Sequence, residues 1–205
     1  MVHNRTKRII EAVKDGVILD IGAGQEENTL ALRKIFKTVI SVDILEKNKD
    51  TGEKIDVVCD VEKGLPFEDS SADTIVAGEF IEHTLRPFDF LLDCKRVLKD
   101  GGRLIITSPN ATGFEKVFRN RYKKAKYEAH CYVWSLYELD NLLRIAGFNV
   151  LKMETFFTKF TILNFIPEKY RSSMIAVCEK KECPKVGMQG AIAHTARVSV
   201  QQAGV

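Results

Sequence analysis

Along the chain, short unbroken apolar runs alternate with segments in which apolar residues recur every three or four positions. "VILDI", "TVISVD", "KIDVVCD", "ADTIVA" and "RLIITS" have the length of buried strands, each bounded by turn residues or an acid. Between them, Thr6 to Val13, Glu26 to Phe36 and Pro87 to Lys99 carry helical spacing. In the second, Leu30, Ile35 and Phe36 are available to cover a sheet; in the third, Pro87 suits a first turn. Ser135 and Glu138 make a capping box that opens a further helix, with Leu139, Leu142, Leu143 and Ala146 inward and Gly147 closing it. "FNVLKMETFFT" and "SSMIAVCEK" read as two last strands, whose connection favours an antiparallel pair at one edge. The alternation predicts an α/β fold around a mainly parallel sheet.

Two stretches break the rhythm. Residues 109–134 are polar, basic and aromatic, an insert on the substrate side of a domain spanning 1–180. Within it, "EKVFRNRYKKAKY" interleaves basic residues with Phe118, Tyr122 and Tyr127, a composition that suits a phosphorylated, acidic or RNA acceptor as well as a solvated loop. Residues 181–205 carry no period and read as a tail. At 205 residues with a net charge of +3, the chain has room for one substantial core and too little positive charge to imply nucleic-acid binding by itself. No run approaches the ~20 apolar residues of a membrane span. The first residues lack a signal-peptide core, and five scattered cysteines fit reduced thiols, so a cytoplasmic location is expected.

Open parallel sheets bind ligands beyond the carboxyl ends of their strands. Here those ends carry Asp20 with Gly22 and Gly24, then Asp43, Asp60, and Gly78 with Glu79. The glycines permit a tight turn and close backbone approach, and Asp43 is placed to accept from ribose hydroxyls. A nicotinamide enzyme shares these features, but its third glycine would fall at Glu27. Glu26 and Glu27 would also repel a pyrophosphate from the helix that follows. They suit a ligand with no phosphate and a positive charge, as in S-adenosylmethionine.

In order and spacing, "VILDIGAG", "VISVD", "CDVEKGLPFEDSSADTIVAGEFIEH" and "RVLKDGGRLIITSPN" resemble the successive motifs of class I S-adenosylmethionine-dependent methyltransferases. The resemblance covers about residues 3 to 180. It implies a Rossmann-like seven-stranded sheet, mostly parallel with an antiparallel final strand, and helices on both faces. It also implies roles: Asp20 at the methionine moiety, Gly22 and Gly24 beneath the cofactor, Asp43 at the ribose, Asp60 and Val61 at the adenine, with Ile44 among the cofactor-binding residues. Gly78 and Glu79 would border the methionine end. Glu26 departs from the frequent third glycine of this turn.

The stretch "AGEFIEHT" places Glu79, Glu82 and His83 at i, i+3 and i+4, one face if a helix begins there. His83 would be the base that takes a proton from an acceptor hydroxyl. His130, ahead of the capped helix, would return to the same mouth, so Glu82, His83 and His130 are the catalytic candidates. Together with Glu79 they also make a candidate divalent-metal site. The pattern resembles metal-dependent small-RNA 2′-O-methyltransferases, which implies Mg²⁺ or Mn²⁺. It equally resembles ubiquinone-biosynthesis O-methyltransferases, which share the E-x-x-E-H stretch. A small-molecule acceptor, methylated on O or N, is therefore expected, with RNA or a non-catalytic cofactor-binding module as alternatives.

Overall fold

The computed structural model describes residues 4–25, 27–113, 130–157 and 167–181. Within them, β1 (Val17–Ile21), β2 (Thr38–Asp43), β3 (Val57–Val58), β4 (Ala72–Gly78), β5 (Leu98–Pro109), β6 (Phe148–Phe156) and β7 (Ser173–Lys180) form one sheet. Its order is β3-β2-β1-β4-β5-β7-β6. The first five strands pair in parallel, and β7 runs antiparallel to both β5 and β6. The last strand is thus inserted inside the sheet, and β6 becomes the edge. Burial follows: Ser173 to Cys178 are all buried, whereas β6 keeps exposed positions along its length.

The helices are α1 (Asn4–Ala12), α2 (Asn28–Arg33), α3 (Pro87–Val97) and α4 (Leu136–Ile145). One face of the sheet packs Leu19, Ile75, Leu104 and Ile106 against Leu91 and Cys94 of α3 and Leu139 and Leu143 of α4. The other packs Ile18, Val76 and Ile105 against Ile9 of α1 and Leu32 of α2. Pro87 sits in the first turn of α3, and the capping box of α4 is complete: Ser135 Oγ accepts from Glu138 N–H at 3.3 Å, and Glu138 Oε2 accepts from Ser135 N–H at 2.9 Å. The Ser135 N–H, and after it the Ser135 hydroxyl, lower the Glu138 carboxyl from its ordinary value.

Below the sheet, at the amino ends of the strands, Asp73 accepts from Val17 N–H at 2.9 Å and from the Lys99 ammonium at 2.7 Å. Burial raises this carboxyl, but the Lys99 and Val17 hydrogen bonds outweigh it and hold it below the usual range. Gly16 makes room: its φ is +130°, and a Cβ there would lie 2.3 Å from Asp73 Oδ2.

The periodicity overreached in three places. The second helix starts at Asn28 and ends at Arg33, with Glu27 at its N-cap, so Ile35 is exposed, while Leu32 and the partly buried Phe36 reach the core. The third strand shrinks to Val57–Val58 because it is the edge, with a partner on one side only. No helix begins at Glu79. Residues 79–83 form a turn, with Glu79 at φ +50° and His83 N–H donating to Phe80 O at 2.9 Å. The carbonyl of Glu82, which would continue a helix, accepts instead from Cys131 and Tyr132 N–H at 2.8 and 3.1 Å.

Of the insert, residues 114–129 lie outside the described residues, and with them the basic-aromatic segment. Its two ends meet, since Asn110 bridges Trp134 and Ala111 N–H donates to Trp134 O at 2.8 Å. Glu26, Cys183 and the tail from 182 also lie outside. No helix among the described residues is long and apolar enough to cross a membrane.

Candidate functional site

The order of strands reverses at β1, which leaves a crevice between its carboxyl end and that of β4. The turn after β1 is anchored from β2, as Gly22 and Ala23 N–H both donate to Val42 O, at 2.9 and 3.2 Å. Gly22 has φ +78°, and the space a side chain would need there is filled by Phe80, 2.6 Å from the would-be Cβ. At Gly24 a Cβ would lie 2.7 Å from the Asp43 carboxylate. That closeness lets Gly24 N–H donate to Asp43 Oδ2 at 2.8 Å, while Leu45 N–H donates to Oδ1 at 2.9 Å. Asp43 is therefore aimed by two neutral N–H groups, with no cation against it among the described residues. A carboxylate offers about four acceptor sites, so this arrangement leaves capacity for ligand hydroxyls.

Cys59 N–H donates to Asp43 O at 2.9 Å, which brings the end of β3 beside that of β2. Asp60 then caps the turn Val61–Lys63 by accepting from Glu62 N–H at 3.1 Å. Burial, and after it the charges of Asp60 and Asp43, push the Cys59 thiol up. Ile44 is 65% exposed, an apolar surface beside the Asp43 carboxylate. These residues make one continuous acidic and apolar rim.

At the opposite end of the crevice, Asp20 is buried and accepts from Thr29 Oγ1 at 2.5 Å. Gly78 admits Asn28, whose Nδ2 would be 2.9 Å from a Cβ at 78, and Asn28 Oδ1 accepts from Thr6 Oγ1 at 2.8 Å. Glu79 N–H is held by Thr107 O at 2.9 Å, and its carboxylate lies 3.6 Å from Arg5 Nη1. Arg5, Thr6, Asn28, Thr29 and Phe80 were not singled out from the sequence. The available signal was polar residues on the inward faces of the first two helices, where apolar ones are the norm.

Glu82, His83 and His130 converge, with one donor atom from each within 4.8 Å of the others. The two imidazoles meet edge to face with centroids 4.7 Å apart. Glu82 is fully buried while both histidines are exposed, so a carboxylate stands at the floor and two nitrogens at the rim. The backbone bonds from Cys131 and Tyr132 to Glu82 O fix this meeting, and the Cys131 thiol donates to His83 O at 3.6 Å across 48 positions of sequence. Glu79, expected as a fourth member, stands outside the group and faces Arg5. The turn at 79–83 is the reason: without helical spacing, Glu79 and Glu82 need not share a face.

A family model described as a methyltransferase domain matches residues 3–153. An uncharacterised protein of Methanocaldococcus jannaschii is 31% identical over 153 residues, 71% of this chain and 73% of that protein. The mitochondrial ubiquinone biosynthesis O-methyltransferase of Homo sapiens is 33% identical over 107 residues, 46% of this chain and only 29% of that enzyme. Among solved structures, a SAM-dependent methyltransferase from Archaeoglobus fulgidus superposes with a TM-score of 0.69 at 22% identity, covering 86% of this chain and 91% of the other.

Proposed function

The chain belongs to the class I S-adenosylmethionine-dependent methyltransferases, and from that premise we propose that it methylates a hydroxyl oxygen of a small or medium-sized acceptor carrying neighbouring hydroxyls, with a divalent cation held by Glu82, His83 and His130. The observation that carries the reading is the convergence of one buried carboxylate and two imidazoles beside the methionine end of the crevice.

The crevice fits the methyl donor in shape and charge. Side chains at Gly22 and Gly24 would displace Phe80 and the Asp43 carboxylate that border the crevice, and the acids along the rim favour a cationic sulfonium over a pyrophosphate. Asp43 accepts the ribose hydroxyls, Ile44 and Val61 flank the adenine, and Asp60 closes that end. Asp20 acts at the methionine ammonium through the network with Thr29. Arg5, already paired with Glu79, gives the methionine carboxylate a cation. Bound there, S-adenosylmethionine supplies a methyl group activated by its positive sulfur.

The donor set of one oxygen and two nitrogens suits Mn²⁺ or a similar transition ion and leaves positions for two acceptor oxygens. Such an ion makes a hydroxyl more acidic at neutral pH. Transfer forms an O–CH₃ bond as the S–CH₃ bond breaks, and the hydroxyl proton leaves to solvent. The protein's own part is positioning: the clamp from Cys131 and Tyr132 to Glu82 holds the ligand trio in register with the strand ends.

The test is methyl transfer from methyl-labelled S-adenosylmethionine to catechol, with a short RNA bearing a free 2′,3′ end as comparator, each with EDTA and after Mn²⁺ is restored. Labelled catechol that is lost with EDTA and regained with Mn²⁺ is the expected result. Labelling of the RNA alone would replace the small acceptor by a nucleic acid. EDTA-insensitive labelling would remove the cation and leave His83 as the base.

A further inference from the structure

Two buried donors lie toward the carboxyl end of the sheet, and neither has a hydrogen-bond partner among the described residues. Ser108 is fully buried and its Oγ makes no hydrogen bond; the Nε1 of Trp134 is likewise buried and unbonded. Buried polar groups in native proteins are nearly always satisfied, so each such atom calls for a specific account.

Their placement is defined by the sheet. Along β5 the side chains alternate, so Ser108 follows Leu104 and Ile106 onto the face that carries α3 and α4. Trp134 packs against that same core, and its main chain bridges Asn110, two positions after Ser108. Diagonal neighbours of this kind lie roughly 7–8 Å apart at Cα, within reach of an indole. Trp134 also ends the segment that begins with His130 and is clamped to Glu82 O. The donor pair and the His–Glu trio are therefore joined by four residues of chain, and Tyr132 stacks on Trp134 at 5.1 Å between them.

We propose that Ser108 Oγ–H and Trp134 Nε1–H together recognise a second oxygen of the methyl acceptor, distinct from the hydroxyls at Glu82, His83 and His130. The proposal rests on the small-acceptor reading above and specifies its substrate class. Both donors are neutral, and no cation contacts either among the described residues, so the matching group is a neutral carbonyl or hydroxyl rather than a carboxylate. An aromatic ring carrying adjacent hydroxyls and a ring-borne carbonyl meets both requirements, with Tyr132 and Trp134 offering faces for the ring.

The chain contains a single tryptophan, so a ¹H–¹⁵N correlation spectrum holds one indole cross-peak, which reports this site directly. The full chain saturated with S-adenosylhomocysteine and Zn²⁺, a diamagnetic ion that takes the same donors and leaves the indole signal sharp, is titrated with 3,4-dihydroxyacetophenone, and separately with catechol, which lacks the carbonyl. The indole proton should move downfield with the first and far less with the second. Ser108→Ala should weaken 3,4-dihydroxyacetophenone binding by about 3–10-fold, the range of one neutral hydrogen bond, and leave catechol unchanged. Trp134→Phe should remove the same preference. An indole proton unmoved by either compound overturns the proposal. So does a pair of variants that lose melting temperature but keep the preference, which would mark an internal water between the two donors. This readout needs no methyl transfer: an indole shift without turnover would fail the catalytic reading alone, and turnover without an indole shift would fail this proposal alone.

Discussion

At the amino end of the sheet, Asp73 faces a Lys99 ammonium and the N–H of Val17, and its charge is used up in holding β4 to β1. At the carboxyl end, Asp43 is aimed by the N–H groups of Gly24 and Leu45 alone, and no ammonium or guanidinium cancels it among the described residues. Each carboxylate sits where a glycine has made room for it, Gly16 in one case and Gly24 in the other. What separates them is the charge of the partner. A cation closes the account locally and gives a brace, whereas neutral donors fix orientation and leave a negative field for a positively charged ligand. Burial first, and then the charges of Asp60 and Asp43, raise the Cys59 thiol beside it. The same comparison separates Glu82, buried beside two imidazoles, from Glu138, whose carboxylate does nothing beyond capping α4.

The largest effect should come from the histidine trio. His83→Ala should lower turnover about 10²–10⁴-fold, the size expected when loss of the acceptor proton is no longer assisted, here because the ion that acidifies the hydroxyl loses a ligand. Its affinity for S-adenosylhomocysteine, read by calorimetry, should stay within error of the parent. Equal loss of turnover and cofactor affinity would move His83 to the cofactor side of the crevice. Next comes Asp43→Ala, which should weaken S-adenosylhomocysteine by about 1.5–3 kcal/mol, the range for a hydrogen bond to a charged group.

Asp73→Asn should leave that affinity alone and cost about 1–2 kcal/mol of unfolding free energy in denaturant titrations. Its pH dependence has a definite sign. The folded-state carboxyl is held below its ordinary value, so its contribution is fully present above the unfolded pKa of about 3.9. The contribution is lost as pH falls through the folded value, and the gap between parent and variant should close there. The smallest effect is Ser135→Ala, about 1 kcal/mol of stability with no change in turnover. A larger loss of turnover would show that α4 helps place His130.

The acids and glycines at strand ends were legible because both the 2-residue and 3.6-residue periods stop there, and what remains at a stop is turn chemistry or function. The capping box of α4 was legible for the same reason. The false helix at Glu79 came from a local pattern overridden by a distant partner: nothing near Glu82 announces that Cys131 and Tyr132 will take its carbonyl. That same contact brings His130 to His83, so the feature that defeated the local reading also assembled three of the four expected ligands. Arg5, Thr6 and Asn28 stayed hidden because inward polar residues on a helix gain meaning only once the sheet end beneath them is known. β7 was expected beside β6, but its burial between β5 and β6 depends on sheet order, which strand periodicity does not encode.

The division of labour between the two ends is tested most directly by the stabilisation that S-adenosylhomocysteine confers on three proteins: parent, Asp43→Ala and Asp73→Asn. Reading the increment in unfolding free energy, rather than the free energy itself, cancels whatever each substitution does to the unliganded fold. At ligand equal to 100 times the parent Kd, the parent should gain about 2.7 kcal/mol. Asp73→Asn should gain the same despite starting lower. Asp43→Ala should gain only about 0.3–1.3 kcal/mol, the same relation evaluated for its weaker affinity. A full increment in Asp43→Ala together with a reduced one in Asp73→Asn would contradict the account.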